Sequence, residues 1–283
     1  MFKKILKIFA ALVIFMAGTV EQSIAISIND IVAPTYPKIS ARYDSANKYP
    51  FVVGLVNGTE TTCSGSLINN RTILTAAHCD INNATKITFS PTSASSVAIS
   101  DFEEFNPADT SSNDIALIAL AAPVPESTAK PIALNSNTPI PVGSTLSMAG
   151  YGLAGNGSSC CLKPDDNRRR DAETTLGSYQ GKYYYAQFRK PGSPSNPNDY
   201  PALNNVPVLY LQGAPQAGDS GGPLWITLAN GGLLQIGELQ EQINTNIGYG
   251  AIDRWTSVSD YQEWIAQNNP LRTYVSKSGE GLS

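Results

Sequence analysis

One histidine occurs in the chain, His78, within Thr75-Ala76-Ala77-His78-Cys79. Two later segments complement it: Asn113-Asp114-Ile115-Ala116-Leu117 and Gly218-Asp219-Ser220-Gly221-Gly222-Pro223. A serine hydroxyl attacks a carbonyl well only when a base of near-neutral pKa takes its proton and a carboxylate holds that base in the right tautomer. His78, Asp114 and Ser220 supply base, carboxylate and hydroxyl in that order. A lone histidine is more often structural, and an Asp before an apolar run is common where a strand starts. The six specified positions around Ser220 carry most of the weight. Such a constellation needs a rigid frame, and the first half of the chain alternates β-rich runs at 51–56, 64–68, 72–75, 86–89 and 114–120 with Gly, Asn and Ser turns. Further runs follow at 145–152, 224–228 and 233–239. Short strands at turn-sized intervals imply an all-β barrel or sandwich.

The three segments and their order resemble the trypsin or chymotrypsin-like serine endopeptidases, in which His precedes Asp and Asp precedes Ser. That resemblance selects the barrel: two six-stranded antiparallel β-barrels of the chymotrypsin type with a C-terminal helix. It also assigns the backbone N–H groups of Gly218 and Ser220 to an oxyanion hole and implies no cofactor or metal. Its substrates are proteins or peptides, and protein protease inhibitors are possible partners. The helix is expected at about 259–268, where Tyr261, Trp264 and Ile265 recur at i, i+3, i+4 and Ser259 and Gln262 have capping-box spacing. Two rivals are a protease-fold binding or adhesion protein of weak activity and an esterase. Gly218-Asp219-Ser220-Gly221-Gly222 lacks the Gly-x-Ser-x-Gly elbow of the α/β-hydrolases, which disfavours the second.

Composition agrees with a globular β protein: 42% hydrophobic and 15% charged, with many Gly and Pro. The net charge of −4 and the absence of a basic stripe give no support to nucleic-acid binding. The one basic run, Arg168-Arg169-Arg170, is flanked by Asp165, Asp166, Asp171 and Glu173 and reads as a solvated loop. Residues 1–25 read as an export signal, with Lys3, Lys4 and Lys7 before an apolar stretch and Ser23-Ile24-Ala25 before a cut. The expected product is a secreted monomer, extracellular or periplasmic, with no membrane association once the signal is gone. Residues 26–38 read as a propeptide and 39–283 as the protease domain.

Four cysteines are few for a secreted chain of this size. Cys63 and Cys79 lie 16 positions apart, and the resemblance pairs them as the disulfide that closes the histidine loop. Cys160-Cys161 is left open between free thiols, a vicinal bridge and an intermolecular one, and falls short of a metal site. The family frees an apolar residue before its first strand, and Ile39 lies 11 positions before Pro50. Ser40-Ala41-Arg42 departs from the usual Val-Gly-Gly. Asp219 matches the carboxylate that pairs with the freed amino group. The family's specificity position, six residues before the nucleophile, is Ala214, with Gln240 and Gln242 on the pocket wall. An uncharged floor implies small or medium apolar P1 side chains unless Glu238 or Glu241 supplies a charge.

Overall fold

Runs of Val, Ile and Leu interrupted by turns form sixteen strands among the described residues of a computed structural model. The residues described are 26–30, 44, 46–79, 84, 86–89, 96–106, 109–158, 168–192, 203, 205–244 and 248–269. In chain order the first eight strands are β1 (Ile26–Ile28), β2 (Val52–Asn57), β3 (Glu60–Asn69), β4 (Thr72–Thr75), β5 (Lys86–Thr88), β6 (Ser96–Glu104), β7 (Ala116–Leu120) and β8 (Ala133–Leu134). The others are β9 (Thr145–Gly150), β10 (Ala154–Asn156), β11 (Arg170–Gln180), β12 (Tyr183–Gln187), β13 (Gly213–Ala214), β14 (Pro223–Thr227), β15 (Leu233–Gln242) and β16 (Ile252–Ser257).

Strands β2-β3-β4-β7-β6-β5 close into one antiparallel barrel. Strands β14-β9-β11-β12-β16-β15 form the second, closed by the β14–β15 pairing, and β8 adds a parallel edge to β15. Closure leaves no open edge within either ring, which suits a protein built from short strands. The expected pair of six-stranded barrels is therefore present. Trp225 of β14 is fully buried against Tyr49 and Phe51, with ring centroids 4.9 and 5.4 Å away, and so joins the second barrel to the core of the first.

The C-terminal helix begins as a 3₁₀ turn, Ser259–Tyr261, and continues as α1, Gln262–Gln267. Tyr261 and Ile265 are buried, and Trp264 packs beside them against Ile68, Leu74, Ile115 and Leu117 of the first barrel. No side-chain cap bond forms at either start. The anticipated Ser259–Gln262 box is replaced by a 2.9 Å contact between the hydroxyls of Ser257 and Ser259.

Two regions depart from the sequence expectation. Arg169 and Arg170 are buried, not solvated. The Arg169 guanidinium donates to Asp44 Oδ2 through Nε at 3.1 Å and Nη2 at 2.9 Å, and to the Val52 carbonyl at 2.8 Å. A charge enters a core only with such partners, and Asp44 lies too far away in sequence to have been matched with it. Residues 26–30, within the stretch read as a propeptide, carry a strand that had no sign in the sequence: β1 lies parallel to β10 and antiparallel to β13, with Ile26 and Ile28 in the core of the second barrel.

Candidate active site

Strand pairing brings His78 to Asp114. Thr75 at the end of β4 is paired with Ala116 at the start of β7, so the chain leaving one strand runs beside the chain entering the other. His78 stands on the 3₁₀ turn Ala77–Cys79 just beyond β4. Its backbone N–H donates to Asp114 Oδ1 at 2.8 Å, and its ring Nδ1 lies 2.6 Å from Asp114 Oδ2. Asp114 is buried, whereas the histidine side chain is 40% exposed. The second barrel also holds the carboxylate's backbone, with Thr256 Oγ1 donating to Asp114 O at 3.3 Å. Burial works to lower the His78 pKa, but the hydrogen bond and charge of Asp114, with a smaller contribution from Glu241, outweigh it and raise the pKa above 6.5.

Ser220 comes from the second barrel, in the turn before β14, and that turn is fastened to the first barrel by Ser64. The Ser64 N–H donates to Ser220 O at 2.8 Å, and its hydroxyl donates to Gly218 O at 3.0 Å. Its neighbour Cys63 forms a disulfide with Cys79, which adjoins His78, so the histidine and serine loops are secured at adjacent residues of β3. A bridge across 16 residues stabilises by about 3 kcal/mol in the chain-entropy model. Ser64 carries no sequence signal, because nothing local distinguishes it from any other strand serine. Cys63, His78 and Cys79 are close enough together to suggest a metal, but both sulfurs are in the disulfide and neither is a thiolate ligand.

The turn that carries Ser220 depends on a glycine. Gly218 has φ +94°, and a Cβ there would lie 2.8 Å from Gly152 Cα, so only glycine fits. Among the described residues no acceptor takes the N–H of Gly218 or Ser220. Between them, Asp219 is buried and turned inward, accepting from Gln216 N and Gly152 N, each at 2.8 Å, and from the Ile26 backbone. Burial pushes its pKa up to about 7, opposed by these N–H groups and by the charge of Arg170.

A cleft of about 360 Å³ beside this turn is lined by His78, Ser220, Gln216, Gln240, Gln242 and Asp253, among others. Gln240 and Gln242 both line this cleft. Ala214 is not among the lining residues; it is sealed in a small core with Phe188 and Ala251. Glu241 lines the cleft but is paired with Arg254. Glu238 is fully buried outside the lining, its pKa driven well above the usual range by burial and by Asp114. The one buried carboxyl among those lining residues is Asp253, 2% exposed, which belongs to no sequence motif. Gln242 Nε2 donates to it at 3.3 Å, and burial pushes its pKa up to about 8. Its signal was slight, one acid in a mixed strand that also carries Arg254, Thr256 and Ser257.

Paired antiparallel barrels, with a His–Asp couple on one and a serine turn on the other, define the serine-hydrolase class built on this frame. The chain belongs to the trypsin family of serine endopeptidases: the family model described as Trypsin matches residues 39–265. It is 27% identical to trypsin beta of Drosophila erecta, with 94% of this chain and 99% of the relative aligned. The snake venom serine protease catroxase-2 of Crotalus atrox is 29% identical over 77% of this chain and 82% of its own. Serine protease SP24D of Anopheles gambiae is 35% identical over a shorter region, 38% of this chain and 44% of the relative.

Proposed function

We propose that the protein is an exported endopeptidase that cleaves proteins through an acyl-enzyme on Ser220. The observation that carries this reading is the 2.6 Å bond between His78 Nδ1 and Asp114 Oδ2, in the cleft that Ser220 also lines. With Nδ1 donating to the carboxylate, Nε2 accepts the serine proton as Oγ bonds to the substrate carbonyl carbon. The negative oxygen that results is held by the N–H groups of Gly218 and Ser220, one such donor being worth about 3 kcal/mol. His78 then returns the proton to the leaving amine as the C–N bond breaks, and water releases the acyl group by the same route. This chemistry uses neither cofactor nor metal.

Asp253 supports a substrate preference for Arg or Lys at P1, in place of the apolar preference drawn from Ala214. A buried carboxyl in the cleft gains a charged partner when a cationic side chain enters, whereas an apolar side chain leaves it with only the Gln242 amide. The leader-like residues 1–25 support export as a precursor, with the protease domain following. No helix among the described residues is long and apolar enough to cross a membrane. The protein acts as a monomer on protein or peptide substrates, is open to protein protease inhibitors, and has no role for nucleic acid.

The test is digestion of an unfolded protein by the purified chain and by Ser220→Ala. Wild type fragments the substrate and the variant leaves it intact. A binding or adhesion protein on the same fold would leave it intact in both.

A further inference from the structure

Two segments ahead of the first barrel begin with the same pair of residues: Ile26-Ser27-Ile28-Asn29 and Ile39-Ser40-Ala41-Arg42. The family match begins at the second, which lies outside the described residues. The first is the one seated against Asp219. Ser27 is paired with Ala214 and Ile28 with Gly213, Asn29 N donates to Gln212 O at 3.0 Å, and the Ile26 N–H reaches the Asp219 carboxylate.

The seat also discriminates by side chain. Its third position buries Ile28, 1% exposed, among the core residues of the second barrel, and its fourth buries Asn29 completely, the amide donating to Tyr210 O. In the same register the second segment would place Ala41 where Ile28 fills the core and Arg42 where Asn29 is sealed. One substitution opens a void and the other puts a charged guanidinium where a smaller neutral amide is buried.

The backbone at Ile26 adds a separate observation. Its φ is +62°, a left-handed value that a β-branched residue rarely adopts. That torsion is defined by the carbonyl carbon of Ala25, so it ceases to exist once the Ala25–Ile26 bond is cut.

We infer that hydrolysis of the Ala25–Ile26 bond, the step that removes the leader, is itself the activating cut, and that the Ile26 α-amino group becomes the counter-ion of Asp219. The inference rests on the protease reading above. Hydrolysis consumes one water and leaves a carboxylate on Ala25 and an ammonium on Ile26. An amide N–H at this place donates a neutral hydrogen bond to a carboxyl that burial has made reluctant to ionise. An ammonium makes a charge-assisted bond there and favours the ionised form. Asp219 then stays turned inward and holds the Gly218–Ser220 turn in its oxyanion-binding shape. Activation is coupled to export, and no separate activating protease is needed.

Three forms of the purified chain test this: one beginning at Ile26, one carrying a Gly-Gly extension before Ile26, and one beginning at Ile39. Active-site titration with a fluorophosphonate and kcat/KM on an Arg-P1 peptide are read for each, with thermal melting as the check on folding. The Ile26 form is expected to be active, and the extended form, which keeps every side chain of the seat, at least a hundredfold weaker in kcat/KM with an unaltered fold. The Ile39 form is expected to be inactive. An extended form as active as the Ile26 form, or an Ile39 form that is the most active, overturns the inference while leaving the protease reading intact. Failure of all three to react or to cleave overturns the protease reading itself, and the inference with it.

Discussion

Asp114 is bonded to His78 at two points, its Oδ1 accepting from the backbone N–H at 2.8 Å and its Oδ2 lying 2.6 Å from ring Nδ1. The carboxylate thereby fixes both the position of the histidine and the nitrogen that faces away from it. Asp114→Asn keeps the shape but presents an amide donor to a ring that needs an acceptor. We expect kcat to fall by about 10⁴-fold, measured on a peptide substrate at saturating concentration. A loss under tenfold would show that another group orients His78.

Acid sensitivity follows from the same pair. A base must be neutral, and His78 has its pKa raised above 6.5 despite the burial that opposes this. Activity should therefore be lost as pH falls through a midpoint above 6.5, in the kcat/KM profile of the free enzyme. Glu241→Gln removes the smallest of the raising influences and should move the midpoint down slightly. A wild-type midpoint below 6.5 would contradict this electrostatic picture.

Selectivity should track Asp253. Arg-P1 peptides are expected to exceed matched Ala, Val and Phe peptides in kcat/KM by at least about tenfold, and Asp253→Asn should erase the difference while leaving the apolar substrates little changed. Because burial holds this carboxyl neutral below about pH 8, a bound guanidinium must draw off its proton. The Arg-to-Ala ratio should therefore rise as pH climbs towards 8. Glu238→Gln and Glu241→Gln are the controls. If either of them, and not Asp253→Asn, abolished the Arg preference, the assignment would be wrong.

The frame has its own test in Arg169. Arg169→Ala leaves Asp44 buried without its cation, a break that costs about 3–5 kcal/mol, readable as a lower denaturant midpoint. Asp44→Asn should destabilise for the reciprocal reason. An unchanged midpoint in both would mean that the pair contributes nothing net.

What could be read from the sequence was what is local in it. The segments around His78, Asp114 and Ser220 are contiguous motifs, and β2, β4, β7, β14 and β15 are short runs of apolar or β-branched residues bounded by turns. The Cys63–Cys79 bridge followed from one spacing and a resemblance. What escaped notice depends on partners distant in sequence. Arg169 looked solvated because its acidic neighbours hid Asp44, 125 positions away. Ser64 gains its role from Gly218 and Ser220, more than 150 positions further on. Asp253 lines the cleft only because β15 and β16 are paired there. Ile26 and Ile39 begin two similar segments, and only the buried third and fourth positions of the seat tell them apart.

Whether Ser220 is the nucleophile that His78 activates is decided by covalent labelling. The chain beginning at Ile26 is treated with a fluorophosphonate, and the adduct is mapped by peptide mass spectrometry. Stoichiometric modification confined to Ser220 is expected, abolished in Ser220→Ala and slowed by orders of magnitude in His78→Ala. Modification of another residue, or a Ser220 that stays unlabelled in folded protein, would contradict it.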